Sequence, residues 1–383
     1  MTRAATRIGV MFSETGPYSV VTRSMLNGAR LAFSEFAEQG MVALEPVVVD
    51  PGGDLRRYSE LAAGLLGDGI RHVVACYTSS SRKEVIPLFE KHDALLWYPS
   101  HYEGFESSDN VIYTGASPNQ HILPLIDHLI RAVGRCGFCV GSNYIWAWEN
   151  NRILREGLNA RGGRLIAERY LPVGETDVGK VVAEIVAARP DFVFSTLIGD
   201  SAYQFFRDFR AACAAAGIDQ IRQIPVASCS LSEPELEAIG PAAVDGHLSA
   251  SVYFSSLDTA ESRGFVARYA AAFPDGPAVS ADAEASYIAV RLLGEALAAV
   301  GDDGVPAVKA AVSGLRILAP QGPVWIDPET CHAHLTPRIG RSNAAARFDV
   351  LAEAAAPVAP DPYLVRTAPR FALATRAPGL RVV

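Results

Sequence analysis

Residues 76–83 read CYTSSSRK and residues 97–106 read WYPSHYEGFE, and these two stretches decide the fold class and the site. Each begins at the end of a short apolar run typical of a buried strand, His72–Cys76 in one case and Leu95–Tyr98 in the other. A helical pattern over Arg82–Lys91 separates the two runs, which is the strand–helix–strand order of a parallel sheet. Open sheets of this class hold ligands at the carboxyl ends of their strands, so these hydroxyls and rings indicate a binding site.

The same alternation of apolar strands and helices continues along most of the chain. A first set runs from strand Arg7–Phe12 to strand Val111–Thr114, and a second runs from helix Asn119–Val133 to strand His247–Val252. With 383 residues the chain is too long for one compact core. The pattern therefore predicts an α/β protein of two Rossmann-like halves, with the loops after the strands on one edge of each sheet.

The last third of the sequence is predicted to add helices and strands to both halves. Leu257–Phe273 and Ala281–Val300 are predicted helices, and Ile317–Asp327 is predicted to be one strand with a Pro/Gly kink. The segment His334–Ile339 is the predicted hairpin partner of that strand. We expect this region of the chain to cross back to the first half and then to return to the second.

Composition and charge exclude several classes of protein. Hydrophobic residues make up 49% of the sequence and charged residues 20%, which is typical of a globular chain. The formal net charge of −8 argues against a broad nucleic-acid surface, since such a surface needs a basic face. The apolar run Ile8–Phe12 is shorter than the roughly 7–15 apolar residues of a secretory signal. No run is long enough to cross a bilayer, so we expect a cytoplasmic location and no membrane partner.

Motifs for catalysis and for metal binding are missing. The sequence has no G-x-S-x-G elbow, no G-x-x-x-x-G-K-[ST] loop and no strand-linked G-x-G-x-x-G. The pair Cys136–Cys139 has no second pair to complete a zinc site, and it lies in a predicted strand. The run Cys331-His332-Ala333-His334 lacks the further ligands that a metal needs. We therefore expect a binding protein rather than an enzyme, with no metal and no cofactor.

Three polar or aromatic residues stand out in the first half. Ser79 lies between a strand and a helix, where its hydroxyl and free backbone N–H groups face a ligand. The alternative is that Ser80 or Ser81 merely caps that helix. Tyr98 and Ser100 end the next strand and face the same edge of the sheet, so we predict that they contact the ligand together with Ser79.

The second half contributes an aromatic stretch. Residues 141–148 read GSNYIWAW and follow a predicted strand. In an extended segment the alternating Tyr144 and Trp146 would direct their rings to the same side. Sites between domains are lined mostly by such rings, although packing against a neighbouring helix is the alternative. Ser13, in the polar loop after the first strand, is also predicted to contact the ligand.

Short motifs along nearly the whole chain resemble the amide- and urea-binding branch of the type I periplasmic-binding-protein family. They include residues 12–16 (FSETG), 50–54 (DPGGD), 102–106 (YEGFE) and 319–323 (APQGP). This branch contains cytoplasmic amide sensors that negatively regulate aliphatic amidase operons. It also contains the transporter receptors for urea and short-chain amides.

The resemblance implies two lobes with a ligand cleft between them. Three crossovers would join the lobes, near Ala116–Pro118, Ser251–Phe254 and Leu318–Pro323. The implied lobes comprise residues 1–117 plus 254–319, and residues 118–253 plus 320–383. The resemblance also implies ligand contacts from Tyr77, Ser79, Tyr98 and Ser100 in the first lobe, and from Tyr144 and Trp146 in the second.

Three positions depart from the amide sensors. The sensors carry threonine at the position of Ser100, proline at that of His101 and tyrosine at that of Trp146. The indole only donates hydrogen bonds, and the histidine adds a group that titrates near neutrality. We add His101, and Tyr253 at the second crossover, to the predicted ligand contacts. A planar amide, urea and a larger planar nitrogenous compound all remain open as ligands.

The leading expectation is a cytoplasmic sensor that closes on a small neutral amide-like ligand. By resemblance, its protein partner would be an RNA-binding transcription antiterminator, which it would sequester without inducer and release with it. The alternative is the substrate-binding receptor of an ABC transporter for short-chain amides, urea or a larger planar nitrogenous ligand. An enzyme acting on the ligand is the weakest alternative. Association into a homo-oligomer is left open.

Overall fold

Two β-sheets organise the computed structural model, which describes residues 5–367 of the chain. The first sheet and its connecting helices are β1 (Thr6–Met11), α1 (Ser19–Gln39), β2 (Leu44–Val49), α2 (Leu55–Gly67), β3 (His72–Ala75), α3 (Ser79–His92), β4 (Leu95–Tyr98) and β5 (Val111–Tyr113). The five strands are parallel and lie in the order β2-β1-β3-β4-β5. Strands β3, β4 and β5 are buried along their whole length, as expected when both faces of a parallel sheet are covered.

Particular residues set the ends of these helices. The Asp54 side chain accepts a hydrogen bond from a backbone N–H in the first turn of α2. Thr78 accepts one from the backbone N–H of Ser81 at 3.2 Å, so Thr78 is the N-cap of α3. The suggestion that Ser80 or Ser81 caps this helix is therefore wrong. Helix α1 ends at Gly40, whose φ of 63° favours glycine.

The second sheet has seven strands. After a 3₁₀ turn at Pro118–Gln120 the chain forms α4 (Ile122–Ala132), β6 (Cys136–Ser142), α5 (Ile145–Ala160), β7 (Arg164–Leu171), α6 (Gly179–Ala188), β8 (Phe192–Thr196), α7 (Asp200–Ala215), α8 (Gln220–Gln223), β9 (Val226–Ser228), α9 (Glu233–Ile239) and β10 (Leu248–Ser251). Two later strands, β14 (Arg338–Ser342) and β15 (Phe348–Glu353), add antiparallel at one edge. The order is β15-β14-β10-β9-β8-β6-β7.

Between β10 and β14 the chain forms elements that pack against the first sheet. It forms α10 (Ala260–Ala272), α11 (Ala281–Val300), α12 (Val305–Gly314), β11 (Ile317–Ala319), β12 (Gly322–Ile326) and β13 (Ala333–His334). Helix α11 lies directly against α1, where a Cβ on Gly28 would come within 2.1 Å of the Ala283 carbonyl oxygen. The Ser24 and Ser280 hydroxyls lie 2.8 Å apart at the same contact.

The predicted fold class, an α/β protein with two lobes, is confirmed. Two element predictions near the C-terminus are wrong. Ile317–Asp327 is a hairpin of β11 and β12 rather than one strand, because the chain turns at Pro320-Gln321. The predicted hairpin partner His334–Ile339 is two separate strands. Strand β13 pairs with β12, whereas β14 joins the second sheet.

The chain passes between the lobes in three places. It leaves the first sheet after β5, returns after β10 and joins the second sheet again at β14. The predicted boundaries at 117/118 and 253/254 lie in the first two passages. The boundary at 319/320 falls inside the turn of the β11–β12 hairpin, and Val324 and Ala333 still pack in the first lobe's core. We therefore place the third passage between Leu335 and Arg338. Residues 1–4 and 368–383 of the predicted lobes lie outside the described residues.

The length and polarity of a helix decide whether it could cross a membrane. Within residues 5–367, every helix is too short or too polar to serve as a transmembrane span.

Candidate functional site

A small cavity lies between the lobes at the carboxyl ends of the strands. We call it the cleft cavity, and it is narrow. It is lined by Tyr77, Ser79, Ser100 and His101 from the first lobe, and by Tyr144, Trp146, Ile198 and Ser230 from the second. These residues follow β3, β4, β6, β8 and β9. Six of the nine predicted contacts are thus brought together at one place.

The two first-lobe hydroxyls are held by carboxylates behind the cavity wall. Ser79 Oγ donates a short hydrogen bond to Glu103 Oε2. Ser100 Oγ donates to Asp282 Oδ1 at 3.3 Å. A carboxylate only accepts, so both hydroxyl protons are committed away from the cavity and the hydroxyl oxygens can act only as acceptors. Arg82 Nη1 also donates to Ser79 Oγ at 3.4 Å, which leaves one lone pair of that oxygen unused.

A fully buried arginine neutralises the acidic groups behind Ser79. Arg82 Nη2 lies 3.1 Å from Glu103 Oε1, and Arg82 Nε lies 2.7 Å from Glu106 Oε1. Its guanidinium carbon sits 4.7 Å from the centre of the Tyr98 ring. Burial would raise the pKa of Glu106, but the charge and hydrogen bonds of Arg82 and Lys83 lower that pKa below its usual value. The Glu106 carboxyl is therefore ionised, and the cations of this network are both paired with carboxyl groups.

The second-lobe wall is aromatic. The Tyr144 and Trp146 rings stack with their centres 6.2 Å apart. The prediction of an extended segment is wrong, because α5 begins at Ile145, so Tyr144 is the N-cap residue and Trp146 lies in the first helical turn. Trp146 is 3% exposed, and its Nε1–H has no hydrogen-bond partner among the described residues. This donor at the cavity wall is available to a ligand.

His101 stands between the two walls. Its ring centre lies 5.6 Å from that of Trp146 in an edge-to-face arrangement. Its Nδ1 lies 3.4 Å from Asp282 Oδ1, the atom that accepts from Ser100. His101 therefore shares one carboxylate with Ser100 and contacts the second lobe as well.

The structure leaves three predicted contacts away from the cavity. Tyr98 is fully buried and donates its hydroxyl to the Tyr77 carbonyl oxygen at 2.9 Å, so it supports the wall from behind. Ser13 Oγ lies 3.0 Å from the Tyr58 hydroxyl and accepts from the Gly53 backbone N–H. Tyr253 packs in the first lobe's core, with its hydroxyl 3.0 Å from Ser262 Oγ. Direct contacts from these three would require another arrangement of their hydrogen bonds.

Comparison with known proteins identifies the family. The sequence profile described as "Periplasmic binding protein domain" matches residues 6–369. The chain belongs to this periplasmic binding protein family. The Leu/Ile/Val-binding protein homolog 6 of Brucella abortus (strain 2308) is 22% identical over 335 residues, which covers 85% of this chain and 84% of the relative.

Solved structures of periplasmic binding proteins share the fold. A solute-binding protein of an ABC transporter from Rhodopseudomonas palustris HaA2, in complex with p-hydroxybenzoic acid, has a TM-score of 0.84 at 20% identity and covers 95% of this chain and 100% of its own. The branched-chain amino acid transporter substrate-binding protein of Streptococcus pneumoniae, in complex with isoleucine, has a TM-score of 0.79 at 16% identity, covering 91% and 99%. At such identities the likeness shows the fold alone. Family and neighbours together make this chain a ligand-binding protein of the type I fold.

Sequence reasoning missed several residues that build the site of this periplasmic binding protein. Glu103 lies within one of the motifs quoted above, but its role depends on a side-chain direction that the pattern does not give. Asp282 comes 182 positions after Ser100, so nothing local connects the two. Ile198 and Ser230 follow strands β8 and β9. They could have been predicted, because ligands bind at the carboxyl ends of parallel strands.

Metal binding finds no support within the described range. Residues 5–367 contain no group of three or more His, Cys, Asp or Glu side chains placed to hold an ion. In the run that contains Cys331, the two histidines have separate partners. His332 stacks on Tyr113 with ring centres 4.0 Å apart, and His334 stacks on Trp325 at 4.4 Å.

Proposed function

We propose that this protein is a receptor for a small neutral amide-like or urea-like molecule, on which its two lobes close. The observation that carries the proposal is the commitment of both first-lobe hydroxyl protons to carboxylates. A ligand at Ser79 and Ser100 has to donate hydrogen bonds, while at the Trp146 indole it has to accept one. A carboxamide or urea offers N–H donors and a carbonyl acceptor in one plane.

The charge around the cleft cavity argues against a carboxylate ligand. Among the described residues no lysine or arginine lines the cavity, and the guanidinium of Arg82 behind it already pairs with Glu103 and Glu106. A carboxylate has no proton to give to Ser79 or Ser100, and it would lie close to the charges of Glu103 and Asp282. The benzoate- and amino-acid-bound neighbours therefore share the fold of this chain, and we expect a different ligand here.

The transport role is the function that the comparisons favour. The structural neighbours are described by name as solute-binding proteins of ABC transporters. We therefore propose that the protein delivers its ligand to a membrane permease. The small size of the cleft cavity favours a ligand of few heavy atoms.

Thermal unfolding against a ligand panel tests the proposal. The panel contains acetamide, butyramide, urea, benzoate and isoleucine. An amide at 100 times its dissociation constant should add about 2.7 kcal/mol of stability, a shift of a few degrees in Tm. A shift with benzoate or isoleucine, and none with the amides or urea, would overturn the proposal. Recovery of the amide as its hydrolysis product would instead indicate an enzyme.

A second function is supported by the motifs shared with amide sensors. One of them, residues 102–106, supplies Glu103, which holds the hydroxyl proton of Ser79. In this function the protein stays in the cytoplasm and regulates amidase-type genes through an RNA-binding antiterminator. Cell fractionation combined with a gene deletion separates the two roles. Loss of amide uptake with a membrane-side protein favours transport, and altered amidase expression with a cytoplasmic protein favours regulation.

A further inference from the structure

Phe105 is a strained and partly exposed residue in the loop after β4. This loop also carries Glu103 and Glu106, the acidic residues of the network behind Ser79. The φ of Phe105 is 57°, in the left-handed region that residues with a side chain rarely adopt. Its backbone N–H donates to the Pro362 carbonyl oxygen at 2.9 Å, and the residue is 39% exposed. An unfavourable backbone that a specific contact keeps in place indicates a function for the side chain.

The Phe105 ring meets a cation of the other lobe. The guanidinium carbon of Arg152 lies 4.9 Å from the centre of the ring. Arg152 belongs to α5 of the second lobe, whereas Phe105 belongs to the first lobe, so this contact joins the two. Neither residue lines the cleft cavity, and the contact therefore lies outside the proposed ligand site.

Arg152 is held in place by its own helix. Its Nε donates to Glu149 Oε2 at 2.9 Å, and its Nη1 donates to Glu156 Oε2 at 2.9 Å. Both carboxylates lie about one turn away on α5, so residues of the second lobe alone fix the plane of the guanidinium. The cation is thus already oriented when the Phe105 ring arrives, which reduces the entropy lost in the contact.

A second neighbour of the ring also comes from the second-lobe part of the chain. Tyr363 meets Phe105 edge to face, with ring centres 6.4 Å apart. The Tyr363 hydroxyl donates to Ser107 Oγ at 2.9 Å, in the same loop as Phe105. The next residue, Leu364, packs in the hydrophobic core of the second lobe. The loop after β4 is therefore tied to the second lobe at two points, through α5 and through this last described segment.

We propose that Phe105 is a latch residue, whose contacts with Arg152 and Tyr363 hold the two lobes in the closed arrangement. The inference rests on the lobe closure of the proposed function, but it does not depend on the class of ligand. An enclosed ligand binds only as well as the closed arrangement is populated, so a contact outside the site changes the apparent affinity for every ligand by one factor. The lobes have to separate before the ligand leaves, so this factor appears mainly in the dissociation rate.

Two variants remove the two sides of the latch. Phe105→Leu keeps an apolar side chain but removes the ring, and Arg152→Gln removes the cation. Stopped-flow tryptophan fluorescence with acetamide and with urea as probes measures both rate constants. We expect each variant to weaken both probes by the same factor, about two- to fivefold, through faster dissociation. Arg155→Gln, the matched control on α5, loses an ion pair with Glu168 within the second lobe and should leave both rate constants unchanged.

The double variant separates a direct contact from two unrelated effects. Once Phe105 is leucine, Arg152 has no ring to contact, so the double variant should bind like Phe105→Leu alone. Additive losses, or losses that differ between acetamide and urea, would overturn the latch. Unchanged rate constants in both single variants would overturn it as well. If Phe105→Leu does not fold, the comparison of Arg152→Gln with Arg155→Gln decides alone.

Failure of the proposed function is a distinct outcome. If the unaltered protein binds neither acetamide nor urea, the proposed ligand class fails, and the latch is tested without ligand. Small-angle X-ray scattering should then give a larger radius of gyration for Arg152→Gln than for the unaltered protein, because the lobes separate more readily. Equal radii in that measurement would overturn the latch.

Discussion

The two lobes build the walls of the cleft cavity by different means. On the first lobe, Ser79 and Ser100 present oxygens whose protons are held from behind by carboxylates. On the second lobe, Tyr144 and Trp146 present stacked rings, and the indole N–H has no partner among the described residues. One wall is polar with a fixed direction of hydrogen bonding, and the other is apolar with a single unused donor.

The two lobes also differ in whether their buried acidic side chains are paired with a cation. Glu103 and Glu106 in the first lobe are paired with the buried Arg82. Glu233 and Glu235 in the second lobe are also buried, but within residues 5–367 neither takes part in an ion pair. Burial raises the pKa of Glu233 to about 7 and that of Glu235 to about 8. The buried acidic groups Glu103 and Glu106 of the first lobe are therefore held by ion pairs, whereas Glu233 and Glu235 of the second lobe are held largely in their neutral form.

The largest effect should come from breaking the charged network of the first lobe. Arg82→Met leaves Glu103 and Glu106 with the partly exposed Lys83 in place of their buried cation, and removal of one partner of a buried ion pair costs about 3–5 kcal/mol. Urea denaturation measures the loss in free energy of unfolding. The control is Arg169→Met, which removes a half-exposed ion pair with Glu184 and should cost less than about 1 kcal/mol. Equal losses in the free energy of unfolding would mean that the buried ion pairs of Arg82 stabilise the protein no more than the half-exposed pair of Arg169 does.

The second-lobe carboxyls predict a pH dependence of stability. A carboxyl whose pKa is raised on folding holds its proton in the native state, while the unfolded state loses it above about pH 4.5. Stability should therefore fall as the pH rises from about 4.5 to about 8, by up to about 1.4 kcal/mol per pH unit for each such group. Glu235→Gln should flatten this slope, as measured by urea denaturation at several pH values. The exposed Glu237→Gln, in the same helix, should not.

Ser79→Ala tests the polar wall directly. It removes the oxygen that accepts from the ligand, so the affinity for acetamide should fall by about 1–2 kcal/mol; Tm should fall as well, because Glu103 Oε2 loses its hydroxyl partner. Isothermal titration calorimetry measures the affinity. Ser80→Ala changes the neighbouring residue of the same helical turn, which lies outside the cavity lining, and should bind like the unaltered protein. A matching loss in Ser80→Ala would assign the effect to the helix rather than to the hydroxyl.

The smallest effect is expected at the aromatic wall. Trp146→Phe keeps a ring in place but removes the unused N–H donor, which should cost about 1 kcal/mol of amide affinity. The same titration measures it. A small neutral ligand with N–H donors but no carbonyl acceptor should lose no affinity, so an equal loss for both ligand types would mean that ring volume, and not the hydrogen bond, is what Trp146 supplies.

Local sequence patterns were sufficient for some residues of this site. Ser79 and Ser100 were predicted because hydroxyls directly after buried strands share one edge of a parallel sheet, and Tyr77 was predicted from the family resemblance. The conformation around Trp146 was predicted wrongly, because alternating aromatics suit a strand and the first turn of a helix equally well. Asp282 was missed since its partner Ser100 is distant in sequence, and pattern reading does not bring α11 to β4. Tyr253 was predicted from its motif, and its hydroxyl is used inside the core instead.

The contact between α1 and α11 has a consequence for how the chain is made. The Ser24 and Ser280 hydroxyls meet although 256 positions separate them, and β10 finds its partner β14 only near the C-terminal end. A ribosome therefore releases most of the polypeptide before either lobe has all of its elements. During that interval the nascent chain exposes the apolar side of α1, including Met25 and Leu26. Such distant pairings slow folding, so we expect the unfinished chain to be prone to aggregation until its last third emerges.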